Sequence, residues 1–178
     1  MKLSQITFTG FALVATVSST AIARAWDGKD GHAPRHGCLT DSDAAKLVAI
    51  FENFFVSFDE ATARKYLAPG FQEISDSINQ ITPGKNFTSG DATVSGLENF
   101  ITTQSTTGTG PAFETLNIWH SCNTITFRWR QATTPLPTQG IDVLVIDPHT
   151  HLIVTDYSEF NNVALLADFG CQFDCPSG

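Results

Sequence analysis

From Ala112 onward, β-branched and aromatic residues alternate with polar ones between turn signals, a period of two that only extended strands can use. The clearest stretch is 124–130, where Ile125, Phe127 and Trp129 alternate with Thr124, Thr126, Arg128 and Arg130. One face of such a strand is buried and the other wetted, which predicts an antiparallel sheet covered on one side. Before it, Leu116, Ile118 and His120 share a face of another strand, and Ser121-Cys122-Asn123 reads as the turn between the two. Pro135, Pro137 and Gly140 mark a loop into a strand over 141–146. Asp147-Pro148-His149-Thr150 then turns the chain into a last strand over 152–160. The second half is therefore expected to be a four-stranded meander.

The first half follows a helical period. Thr40 with Asp43 resembles a capping box, and Leu47, Ile50, Phe51, Phe54, Phe55 and Phe58 then recur at three- and four-residue steps. That aromatic stripe predicts a core-facing helix. Asp59 can cap a second helix through Tyr66 and Leu67, with Pro69-Gly70 ending it, and a short strand is expected over 71–76. Ser95 with Glu98 is another capping box, opening a third helix to about Gln104. Helices gathered at one end and an antiparallel sheet at the other predict an α+β fold.

At the start of the chain, Lys2, an apolar run over 6–17 and Ala23-Arg24-Ala25 have the grammar of a cleavable export signal over 1–25. The run is too short for a membrane-spanning helix. The polar, Gly-rich 26–37 reads as a flexible lead-in, 38–170 as one folded domain and 171–178 as a tail with two cysteines. Removing the leader takes the formal charge from −8 to −10, which argues against nucleic acid or an anionic membrane as partner. The expected location is extracellular. There Cys38, Cys122, Cys171 and Cys175 are expected to form two disulfides, with three pairings open. Cys38 before the main helix and Cys122 at a sheet turn would staple helix layer to sheet, leaving Cys171 to Cys175 across a small loop. Asn86-Phe87-Thr88 is a glycosylation sequon in a Gly/Pro-bounded loop.

The element order, with CLTDSDA at 38–44, EISDSIN at 73–79, LNIWHSCNTITFRWR at 116–130 and YSEFN at 157–161, resembles the nuclear transport factor 2-like superfamily, also described as SnoaL-like or ketosteroid isomerase-like. Within it, these motifs look like a group of secreted fungal proteins without an assigned common activity. The resemblance implies three N-terminal helices on the concave face of a strongly curved, mainly antiparallel sheet, a cone with a pocket. That superfamily includes ketosteroid isomerase, scytalone dehydratase, limonene epoxide hydrolase and polyketide cyclases besides members that only bind partners, so it implies a pocket and not a reaction.

The sequence holds no G-x-S-x-G, H-E-x-x-H or phosphate-binding glycine loop, so any chemistry is expected to be acid–base work without metal or cofactor. Candidate catalytic residues are Asp76 at the end of a short strand, His120 beside Trp119, and Tyr157 with Glu159 on one strand face, Asp156 pointing the other way. Asp76 and Asn79 could equally cap a turn, and Glu159 could pair with Arg128 or Arg130. His149 with His151, and His32 with His36, lack further metal ligands nearby. The expected pocket wall is Asp76, Asn79, Trp119, Phe127, Trp129 and Tyr157. The leading expectation is a secreted domain that binds a small apolar or aromatic molecule without catalysis. The alternatives are a dehydratase-like lyase or isomerase, and a surface-acting effector or structural protein. A homodimer fits any of the three.

Overall fold

Thr40 begins the first helix in the expected way: its hydroxyl accepts from the Asp43 amide at 3.1 Å, and the Asp43 carboxylate accepts from the Thr40 amide at 3.1 Å. The computed structural model describes residues 38–82, 84–107, 110–131, 136–168 and 170–171. The expected leader, the lead-in and Cys175 lie outside the described residues. Helix α1 (Asp41–Val56) buries Leu47, Phe51 and Phe54 of the predicted stripe and Val48 besides, while Ile50, Phe55 and, past its end, Phe58 pack half-buried against the core. Asp59 caps α2 (Glu60–Tyr66), accepting from the Thr62 amide at 2.8 Å.

The stretch from Leu67 to Ser95 departs from expectation. Strand β1 (Leu67–Ile74) begins directly where α2 ends, and Pro69-Gly70 falls inside a break of its register rather than closing the helix. The strand stops before Asp76, because Ser75 accepts from the Ile78 amide at 3.0 Å and starts a short helix, α3 (Asp76–Ile81). Strand β2 (Ala92–Ser95) leads through Gly96, at φ 90°, into α4 (Leu97–Thr107). Gly96 gives its amide to the Phe71 carbonyl at 2.7 Å, so the bend that starts α4 is tied to the sheet. The meander is β3 (Phe113–His120), β4 (Thr124–Gln131), β5 (Thr138–Ile146) and β6 (Ile153–Phe160), and a helix α5 (Asn162–Asp168) follows.

These strands form one curved six-stranded sheet in the order β2-β1-β6-β5-β4-β3. Only β1 with β6 is parallel. Phe127, Leu144 and Ile153 on its concave face meet Phe51 and Phe54 of α1 and Phe100 of α4. Edge-on ring contacts link the layers, with centroids 5.2 Å apart for Phe71–Phe100, 5.8 Å for Phe54–Phe100 and 6.5 Å for Phe51–Phe127. Each such pair contributes about 0.5–1.5 kcal/mol beyond its buried area. On the convex face, Arg128 donates to Asn117 Oδ1 at 3.2 Å and Arg130 Nε to Glu114 at 3.1 Å. A disulfide joins Cys38 to Cys122, and the Leu39 amide bonds the Cys122 carbonyl at 3.0 Å, so the start of α1 is fastened to the β3–β4 turn.

Candidate functional site

The aromatic lattice does not fill all of the space under the sheet. Between α3, α4, α5 and the concave face lies a cavity of about 760 Å³, within the range of small-molecule sites. Much of its wall is apolar: Phe55, Ile78, Ile81, Phe113, Trp129 and Phe160. Trp129 packs edge-on to Phe113, centroids 5.0 Å apart, and tilts against Phe160 at 6.0 Å. Glycine at 140 makes this possible, since a Cβ there would stand 2.3 Å from Trp129 Cζ2 and 2.8 Å from Phe160 Cβ.

Acidic groups interrupt the apolar wall. Glu73 of β1 and Asp142 of β5 face the cavity and are 3% and 5% exposed. Asp156 of β6 is wholly buried beside Glu73. Strand register brings the three together, because Glu73 is the partner of Asp156 across β1–β6 and Asp142 is the partner of Ser158, two residues along β6. Burial raises Glu73 to about 7, helped by the nearby Asp142 and opposed by Lys85. Burial likewise raises Asp142 to about 7, against the pull of the Ser158 hydroxyl and the Trp129 indole, with Glu52 of α1 pushing it further up. Burial first, then the charges of Asp142 and Glu73, hold Asp156 well above the usual carboxylate range. Glu52 is itself raised by burial, although Thr115 donates to it at 2.8 Å. Among the described residues, three buried side-chain atoms of the wall have no hydrogen-bond partner: Asp142 Oδ1, Thr138 Oγ1 and Trp129 Nε1. The indole thus lies near enough to Asp142 to bias its charge but outside hydrogen-bond geometry. Both oxygens of buried Asp156 are likewise without a partner among the described residues.

Of the residues predicted for a pocket from sequence, Trp129 lines this cavity. Phe127 is fully packed in the core beneath it. The four catalytic candidates are neither on the cavity wall nor in contact with one another as a set, and each has a local reason for its place. The Asp76 carboxylate accepts from the Ser89 hydroxyl and from the Gly90 amide at 2.9 Å, which pins a surface loop and lowers its pKa. His120 Nε2 meets Asp41 at 2.7 Å at the start of α1, and that bond raises the imidazole pKa. Tyr157 and Trp119 are about half exposed on the convex face, in one row across Thr126 and Val143. Glu159 pairs with neither Arg128 nor Arg130. It accepts from the Asp76 amide at 3.0 Å and the Ser77 amide at 3.1 Å, and so caps α3. Asn79, on the buried face of α3, donates to the Asp91 carbonyl at 3.1 Å and is not part of the wall.

Sequence reasoning missed Glu73 and Asp142, and it set Asp156 aside as the opposite face from Tyr157. The usable signal was phase: Asp142 alternates with Leu144 and Ile146, and Glu73 with Phe71, so each acid falls in step with buried residues. Among the described residues, no group of His, Cys, Asp and Glu is arranged to hold a metal ion. No described helix is long and apolar enough to cross a membrane.

Residues 37–172 match the family model of the NTF2-like domain. No curated protein matches the chain. Solved structures of similar fold include IdmH of Streptomyces antibioticus, proposed to be a polyketide cyclase, at 15% identity and TM-score 0.53, covering 72% of this chain and 99% of that one. Another is a SnoaL-like protein of Jannaschia, also proposed to be a polyketide cyclase, at 11% identity and TM-score 0.54, covering 80% and 98%. A third has a ketosteroid isomerase-like fold, comes from Catenulispora acidiphila and was solved with trimethylamine, at 12% identity and TM-score 0.53, covering 71% and 94%.

Proposed function

The chain belongs to the NTF2-like domain family, and from that premise we propose that it binds a small, largely apolar, ring-bearing molecule in the cavity under its sheet. The observation that carries this reading is an aromatic-walled space of about 760 Å³ onto which buried polar atoms open without protein partners. Such atoms cost free energy until something bonds them, and a ligand that fills the space can do so. Native mass spectrometry of protein purified without denaturant tests it, and the expected result is a bound organic species. Absence of any bound species, together with no binding of neutral aromatic compounds in calorimetry, would sink the reading.

A second reading, turnover by a lyase or isomerase, is favoured by one specific observation. Glu73 and Asp142 are both raised to about 7, so near neutral pH one carboxyl can hold a proton while the other accepts one. Under it, Glu73→Gln and Asp142→Asn each abolish turnover while the fold persists, and changes at Asp76, His120, Tyr157 or Glu159 leave turnover intact.

Our reading also places the protein outside the cell. A leader ending at Ala25 supports this, and the Cys38–Cys122 disulfide is consistent with it. Sequencing the mature N-terminus should find Trp26. Asn86 is exposed and able to carry a glycan, which an endoglycosidase shift would reveal. The expected homodimer is measured by sedimentation equilibrium.

A further inference from the structure

The cavity wall carries more acid than an apolar pocket needs. Glu73 and Asp142 face the space, buried Asp156 neighbours Glu73 across β1–β6, and Glu52 approaches Asp142 from α1. Among the described lining residues Lys85 is the single cation. Its Nζ is turned to the Thr93 carbonyl at 3.3 Å, and it makes no ion pair with Glu73. Building on the cavity reading above, we propose that the ligand is an amine: a small aromatic or alicyclic compound whose protonated, N–H-bearing nitrogen sits at Asp142 and Glu73 with its ring among Trp129, Phe113 and Phe160.

Three features of the wall select that chemistry. Asp142 is 5% exposed and its Oδ1 has no partner, and an ionised carboxylate oxygen can only accept, so the missing group is a donor. Of the available donors a charged ammonium forms the strongest bond, and it cancels the charge that makes a buried carboxylate costly. The rings of Trp129, Phe113 and Phe160 stand beside the acids, and aromatic faces attract cations while they bury hydrocarbon. An anionic ligand would face these acids with only Lys85 in its favour. A neutral acceptor would need the wall protonated, and a neutral donor would bond the carboxylates without cancelling their charge.

The sign of proton exchange separates an amine from a neutral acceptor. Asp142 is faced by Trp129 from β4, Ser158 and Asp156 from β6, Glu73 from β1 and Glu52 from α1, and Glu73 is faced by Asp142, Asp156 and Lys85. Burial and mutual repulsion keep Glu73 and Asp142 at about 7, so below that pH the wall is largely protonated. An ammonium, with a pKa of about 10, binds the ionised wall and drives protons off the protein. A ketone or alcohol accepts from the protonated wall and draws protons on.

The experiment is titration calorimetry of the unaltered protein with 2-phenylethylamine, 2-phenylethanol and phenylacetate, at pH 6 and pH 8, in buffers of different ionisation heat. The expected result is proton release on amine binding at pH 6, little release at pH 8, and amine affinity about tenfold or more above the alcohol's at pH 8. Asp142→Asn, or Glu73→Gln if that variant fails to fold, should bring the amine to within about twofold of the alcohol measured on the same variant. Proton uptake, or an alcohol that binds as well as the amine, overturns the inference and leaves the cavity reading standing. Failure of all three compounds overturns the inference too, and native mass spectrometry then decides the cavity reading by itself.

Discussion

A methyl group at position 140 would fall 2.3 Å from Trp129 Cζ2, against a ring held between Phe113 and Phe160. That ring cannot retreat without disturbing both neighbours, so Gly140→Ala should cost about 1–3 kcal/mol, the scale of overpacking, and should weaken any ligand of the cavity. Gly70 makes the control, since its Cβ would meet nothing within 4 Å and the same change there should stay within about 0.5 kcal/mol. Urea unfolding of both variants measures the difference, and equal costs would show that the indole does not depend on Gly140. The sequence disclosed which residues of β4 point inward, because Ile125, Phe127 and Trp129 are large and apolar and their alternation has one physical solution. Glu73, Asp142 and Asp156 were harder to read. A charged residue is normally assigned to water, and only its phase relative to Phe71, Leu144 or Ser158 says otherwise.

Among the elements, α1, α2 and the meander were legible because each carries its own cause: a capping box, an aspartate cap, a strict alternation. Helices α3 and α5 and strand β2 were not, because each is short and α3 also rests on a residue far away in the chain. Six residues are too few for a stable isolated helix, and α3 exists because Glu159 of β6 accepts the amides of Asp76 and Ser77 from more than eighty positions away. Glu159→Ala should therefore lower stability by about 1–3 kcal/mol, leaving exposed helix amides to water, and should speed amide exchange across α3 first. If exchange rises uniformly through the sheet instead, the carboxylate is not the cap that holds this helix. β2 escaped notice because four residues give too short an alternation to read.

For the whole molecule, the buried acids set an unusual dependence of stability on pH. Glu73, Asp142 and Asp156 keep protons in the fold that they would surrender when unfolded, so the folded state binds more protons than the unfolded state above pH 4. Their contribution is fully present below their unfolded values and is lost as pH rises through the folded ones. For Glu73, from 4.5 to about 7, this amounts to about 3 kcal/mol. His120, raised by Asp41, works in the same direction, its contribution lost as pH rises past its folded value. The lowered carboxylates Asp43, Asp59, Asp76, Asp147 and Glu98 work in reverse and weaken the fold only as pH falls through their depressed values, below about 4. Scanning calorimetry should find the melting temperature highest near pH 5 and falling toward pH 8, with Asp156→Asn flattening the slope. A melting temperature that climbs from pH 5 to 8 would contradict the protonation states assigned to the wall.

The last described strand in chain order does not lie at an edge of the sheet. β6 lies between β1 and β5, so β1 and β2 have no sheet to join until residues 153–160 have left the ribosome. Until then two short strands can hold only each other, a marginal arrangement in water, and the phenylalanine stripe of α1 lacks much of the surface it will cover. A chain halted near residue 150 is therefore a client for chaperones rather than half of a working protein. Emergence of β6, and with it the assembly of acids contributed by strands far apart in the order of synthesis, is the event that turns this polypeptide from sticky to self-contained.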